Sequence, residues 1–207
     1  MGALSGTLST TAFYVQGDLP EDFREAYIDS LKKLQFTEVN PSADQEESLG
    51  WVNIADPFDT DFDLNKVVWG SYVMATIRHD LIRLPAAAFK LMLQKRIREY
   101  MDDQSKESIS KAERENLSDE LERELKHRVL PAIRTYDVVW NMDRGVAWLF
   151  TTNKKVVELF VDLFEETFGL HAHERNPYSI VEQMGLDDAH MERVLEIEPA
   201  AMAARSK

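Results

Sequence analysis

Residues 83–131 constrain the fold more than any other part of this chain. They carry helical spacing, but their apolar stripes are narrow and crowded by charge. Before them, Val67 to Ile77 is rich in Val, Trp, Tyr and Thr and reads as a long strand. After them, Arg134 to Trp140 and Val146 to Thr151 read as two strands. The loop between, Asn141-Met142-Asp143-Arg144-Gly145, puts Gly where a left-handed residue closes a hairpin. Helices with too little apolar surface for a main core, held between strands, predict an αα-hairpin projecting from a sheet. Leu84-Pro85 opens its first helix, with Phe89, Leu93, Ile97, Tyr100 and Met101 as the stripe. Ser110 with Glu113 is a capping-box pair for a short second helix. Ser118, before Asp119 and Glu120, caps a third, with Leu121, Leu125 and Val129 as its line and Leu130-Pro131 as its stop.

The flanks supply a core. Leu8 to Gln16 alternates as a strand does, and Pro20 with Glu21 and Asp22 marks a helix start. Phe23, Tyr27, Leu31 and Leu34 give that helix one stripe. Phe36 to Val39 reads as a short strand and Asn40 to Ser48 as a polar loop. Val156, Leu159, Phe160, Leu163, Phe164 and Phe168 form one helical face, and Gly169 is its C-cap. Leu170 to Glu174 suits a last strand, Asn176 to Gly185 a loop with room for one helical turn, Asp187 to Glu196 a weak helix, and Pro199 to Lys207 a frayed end. The fold class is α+β: a mainly antiparallel sheet with packed helices and a projecting helical-hairpin arm. Its parts are an N-terminal lobe with the long strand (1–82), the arm (83–131), a β-hairpin plus helix (132–175) and a partly disordered tail (176–207).

The 207 residues suit one domain or two small joined ones. No run of 18 apolar residues exists, so no transmembrane helix is expected, and the N-terminus lacks a secretory or myristoylation pattern. Cysteine is absent, which removes disulfides, thiol catalysis and cysteine-held metals and fits a reducing cytoplasm. The net charge of −13 argues against a generic nucleic-acid binder, because phosphate contacts need Lys and Arg. The distribution is uneven. Met1 to Thr76 holds 4 basic and 13 acidic residues, net −9; Ile77 to Arg134 holds 13 and 11, net +2; Thr135 to Lys207 holds 7 and 13, net −6. The plainest account of the arm is a solvated face with interleaved ion pairs. Two groups of its cations stand out: Arg83, Lys90, Lys95, Arg96 and Arg98, then Arg123, Lys126 and Arg128. Arg83 and Lys90, seven apart, nearly share a helical face.

Catalytic patterns are missing. There is no Gly-rich phosphate loop, G-x-S-x-G elbow or H-E-x-x-H. His79 and Asp80 are adjacent on a strand and so face opposite ways, which suits structural roles. His171 and His173 share a strand face but lack a third ligand. Trp51, Trp69, Trp140 and Trp148 read as core or interface residues. Asp56, Asp59, Asp61 and Asp63 resemble a calcium loop without its Gly and closing Glu, and read as a solvated loop. No catalytic residue, metal or cofactor is assigned.

Four features in this order resemble the bacterial recombination-associated protein RdgC family. They are the early strand and helix with Gly50-Trp51 soon after, and the exit from the long strand into Leu84-Pro85 and a charged helix. The run from Lys111 to Leu130-Pro131 and the Gly145 hairpin with its helix to Gly169-Leu170 complete them. The resemblance spans most of residues 1–175, and the chain reads as a short member lacking the usual C-terminal region. It implies a cytoplasmic, nucleoid-associated homodimer that binds double-stranded DNA with little sequence preference; the family is also labelled an exonuclease in places, but no catalytic residue carries over to this sequence, so a non-enzymatic role is expected. Two subunits would ring the duplex, with the arm as a finger meeting the partner, and would restrain the RecA recombinase. The eight arm cations would then contact phosphates. Two other functions fit the residues: an acidic protein-interaction module that has lost DNA binding, and a metal-dependent nuclease using Asp56, Asp59, Asp61 and Asp63.

Overall fold

The computed structural model describes residues 2–4, 9–18, 22–43, 45–185 and 188–196. A seven-stranded antiparallel sheet organises them. The strands are β1 (Thr11–Gln16), β2 (Glu47–Val52), β3 (Val68–Trp69), β4 (Tyr72–Leu81), β5 (Ala132–Asn141), β6 (Val146–Leu149) and β7 (His171–Glu174). Their order is β2-β4-β5-β6-β1-β7, with β3 paired to β4. The class is α+β, as the sequence implies.

One face of the sheet holds the core. Phe13, Ala147, Trp140 and Val73 lie in register across β1, β6, β5 and β4, and all four are buried. Two helices cover that row: α1 (Phe23–Lys33), through Tyr27, Ile28 and Leu31, and α5 (Lys154–Phe168), through Val156, Phe160, Leu163, Phe164 and Phe168. Aromatic rings interlock along α5, with Phe164 edge-on to Trp140 at 5.4 Å between centroids. Each such ring removes a large apolar area from water, and tilted or edge contacts add to that burial. Trp51 on β2 joins them and donates its indole N–H to the Thr167 hydroxyl at 2.7 Å. Gly169 caps α5 at φ +65°, as the sequence predicts.

Several boundaries differ from the sequence reading. The long strand at Val67 is interrupted: α2 (Leu64–Val67) ends there, β3 follows, and Gly70 at φ +63° turns the chain back into β4. Trp69, beside that turn, is 58% exposed rather than part of the core. Residues 36–39 form no strand; Gln35 makes only an isolated bridge to Trp51. The strand in this region is β2, whose first two residues fall inside the expected polar loop. Residues 177–183 form a helix, α6, and α7 spans Asp188–Leu195. The Pro20 helix start, the first residue of the expected Leu8 strand, the Asp187 boundary and the Pro199–Lys207 end lie outside the described residues.

Gly50 is fixed by packing. A Cβ there would sit 2.5 Å from the Phe36 Cα and 2.6 Å from its N, both rigid backbone atoms. Gly50→Ala is therefore expected to force β2 away from this segment and to lower unfolding free energy by about 1–3 kcal/mol in urea titration. A change within error would show that the close approach does not hold in solution.

Candidate nucleic-acid interface

The arm joins two neighbouring strands, β4 and β5, and is two main helices, as expected; the short helix expected at Ser110 and the one at Ser118 are a single helix. Pro85 stands at the N-cap of α3 (Ala86–Asp103), and Ser110 caps α4 (Lys111–Lys126). The Ser110 hydroxyl accepts the Glu113 N–H at 3.2 Å, and the Glu113 carboxylate accepts the Ser110 N–H at 2.8 Å. No Gly or Pro follows before Lys126, so the helix runs straight through Ser118, which caps nothing. Burial is slight: Leu117 and Leu121 are buried on α4, and no residue of α3 is. Polar contacts do the remaining pairing. Lys106 in the connector bonds Glu113, which also accepts from the Tyr100 hydroxyl at 3.1 Å. The Lys106 ammonium, then the Ser110 N–H and hydroxyl, hold the Glu113 carboxyl down at about 2.

The eight expected phosphate contacts fall into two groups. Arg96 and Arg128 both reach Glu124, at 2.5 and 2.7 Å. Lys95 faces Glu99 at 3.5 Å, and Arg123 donates to the Asp119 carbonyl at 3.3 Å. Lys126 lies between Glu46 and Glu122, its side chain only 16% exposed; these partners, Glu46 first, raise its pKa. Arg83, Lys90 and Arg98 are exposed and have no carboxylate within 4.0 Å among the described residues. Arg83 precedes α3, so the helical spacing to Lys90 does not apply. Between the helices the groove is acidic, lined by Glu99, Asp103, Glu113 and Glu120.

Two further cations stand at the arm's base. Arg134 and Lys155 line one cleft with Arg83 and His79. Arg134 pairs with His79 across β4 and β5, a relation that needs the register and is invisible in sequence. Lys154-Lys155 in the first turn of α5 is a visible signal, because acids normally occupy that turn.

The acidic loop is occupied by its own backbone. Asp56 accepts the Phe58 N–H at 2.9 Å, Asp59 the Asp61 N–H at 2.8 Å, and Asp63 caps α2 through the Asn65 and Lys66 N–H groups. Lys66 contacts Asp59 and Asp61 at 3.0 and 3.3 Å. The Asp61 N–H and Lys66 lower the Asp59 pKa. Among the described residues no three His, Asp or Glu side chains form a metal-holding group.

Sequence reasoning missed a buried ion pair. Arg78 and Asp80 share the β4 face away from the core, and Arg78 donates to both Asp80 oxygens, at 2.9 and 2.6 Å. Its guanidinium lies 4.2 Å from the Phe36 ring centre and 4.7 Å from that of Phe58. His79, on the other face, contacts Glu47 at 2.5 Å. Arg78 and Asp80 are buried and bonded to each other, which fits structural work, whereas His79 and Glu47 border a cleft.

Asp80→Asn would leave Arg78 as an uncompensated buried charge, so a loss of about 3–5 kcal/mol is expected in chemical denaturation. A loss below about 1 kcal/mol, the scale of a surface pair, would refute burial of the ion pair. Glu113 makes the arm acid-sensitive. Its folded pKa lies below the ordinary 4.5, so its contribution is complete above about 4.5 and is lost as pH falls towards about 2. Helical circular dichroism is expected to drop through that window in the native chain, and to lose that component in Glu113→Gln. Identical acid profiles would contradict the capping role.

A family model described as "Putative exonuclease, RdgC" matches residues 12–182. No curated protein matches the chain. The matched span runs from β1 through the whole arm into α6. On that extent, the chain belongs to the RdgC family.

Proposed function

We propose that this protein binds double-stranded DNA through its phosphate backbone, without sequence preference, and modulates homologous recombination without catalysing a reaction. Family membership is the observation that carries the reading. The arm supports it, because it is the one stretch of an acidic chain whose charge is slightly positive. The contacts concentrate on Arg83, Lys90 and Arg98, whose charges are not already taken by carboxylates. Lys95, Arg96, Arg123 and Arg128 add to the field, and Lys126 chiefly holds the arm. Residues 83–131 act as one module on the α+β core, and a second copy of the chain completes a path around the duplex. Restraint of RecA follows from occupying the duplex it would act on. No described helix is long and apolar enough to cross a membrane.

The acidic groove between α3 and α4 favours a second reading, in which this face takes a basic protein segment. The two are separable. Fluorescence anisotropy with a duplex of arbitrary sequence should show binding at low salt that falls steeply as salt rises. Lys90→Gln/Arg98→Gln should weaken it for every sequence and reduce the log–log salt slope by about 2, close to one unit per lost phosphate contact. No binding at low salt would overturn the proposal. Retention of a basic peptide instead would favour the second reading.

A further inference from the structure

A cleft of about 440 Å³ opens at the base of the arm, where β4 and β5 run past the start of α5. Its volume lies within the roughly 300–1,000 Å³ of small-molecule sites. The floor is the core face of the sheet, where His79 is paired with Arg134 and Leu81 with Ala132. One wall is α5 from its start to its middle, with Lys155, Glu158 and Asp162; Arg83 closes the side towards the arm.

Three cations, Arg83, Arg134 and Lys155, line this one space, and among the described residues none has a carboxylate within 4.0 Å. The acids beside them are differently placed. Glu47 is taken by His79, whose side chain is 9% exposed. Glu158 and Asp162 stand one and two turns further along α5, away from its positive end. That end is already unfavourable as it stands. Asn153 caps it by accepting the Lys155 N–H at 3.1 Å, Lys154 and Lys155 follow, and no acid occupies the first turn. Two ammonium groups at the positive end of a helix dipole repel it, and a bound anion would relieve both. Three cations match the charge of nearly −2 on a phosphate monoester better than the single charge of a carboxylate or an internal phosphodiester. Beside them the lining turns apolar, through Leu81, Tyr136 and Leu159.

We propose that this cleft binds a phosphomonoester, with its phosphate among Arg83, Arg134 and Lys155 and its organic body against Leu81, Tyr136 and Leu159. The ligand is either a free mononucleotide or the terminal phosphate of a nucleic-acid strand, which share this chemistry. The inference shares Arg83 with the duplex reading but does not rest on it, since the cleft's other two cations, Arg134 and Lys155, are not among the arm cations.

The test titrates adenosine 5′-monophosphate and adenosine into the ¹⁵N-labelled full chain. The nucleotide is expected to produce saturable amide shifts centred on His79, Arg134 and Lys155, and adenosine none. Arg134→Gln/Lys155→Gln should weaken binding about tenfold or more, with Tm unchanged or raised because a charge leaves the helix start. Absence of saturable shifts, equal shifts from adenosine, or undiminished binding by the double variant would overturn the proposal. Competition by 5′-phosphorylated but not 5′-hydroxyl oligonucleotide would identify a strand end as the source, and competition by inorganic phosphate alone a small free ligand. Lys90→Gln/Arg98→Gln should keep nucleotide binding, so failure of the duplex reading leaves this result standing.

Discussion

The full-length pairing of β4 with β5 is the constraint on which the structure depends. Ten residue pairs run from Tyr72↔Asn141 to Leu81↔Ala132 without a break. The arm is what joins these two strands, so the ladder must close a loop of residues 82–131. For a flexible loop of that length closure costs roughly 3.5 kcal/mol on the logarithmic scaling. The ladder offsets this only because its middle also carries the core: Val73, Ala75 and Ile77 on β4 face Trp140, Val138 and Tyr136 on β5, under α5. Local order in the arm reduces the cost further. The capping box at Ser110 and the Lys106–Glu113 contact shape the connector without help from the core.

Local signals were legible and partner-dependent ones were not. Gly169, Gly145 and the stripe of α5 announce themselves because cap and face lie within a few residues of each other. The arm was legible for the same reason, its narrow stripes marking helices outside the core. Ser118 misled because Ser followed by two acids is a good cap only where the preceding chain is not already helical. β2 was hidden because Glu47 and Ser48 extend a polar run and Gly50 adds no strand signal, when the role of Gly50 is to admit the Phe36 backbone against the sheet. Of the arm cations, the sequence shows type and spacing but not that Glu124 holds both Arg96 and Arg128. Arg134 and Lys155 escaped notice because only the fold brings them to Arg83.

These pairings bear on how charge is used. An exposed ion pair contributes well under about 1 kcal/mol, yet the arm has few alternatives, with two buried residues across both helices. Its carboxylates therefore do structural duty, and the cations they hold are less available to phosphate. Among the described residues, what remains free is selected by position: Arg83 at the base, Lys90 and Arg98 on α3, and Arg114 on α4. The net +2 of Ile77 to Arg134 thus misstates the arm's reach, since the field at its surface comes from those charges that no neighbour has neutralised.

Glu46 ties this arm to the body. Its carbonyl accepts the Ile82 N–H at 2.8 Å, extending the β2–β4 ladder by one bond, and its carboxylate holds Lys126 at the far end of α4. One residue thereby touches both roots of the helical hairpin. Beneath it, three successive β4 residues are fixed from opposite sides, Arg78 and Asp80 to each other under Phe36 and Phe58, His79 to Glu47 above. The strand that launches the arm cannot roll without lifting the Arg78 guanidinium from the Phe36 and Phe58 rings and breaking its bond to the Pro57 carbonyl. The irregular segments that join the arm helices to this fixed sheet are residues 82–85 and 127–131. Arg83 lies in the first of them, directly beyond the strand so held, and lines the cleft with Arg134 and Lys155.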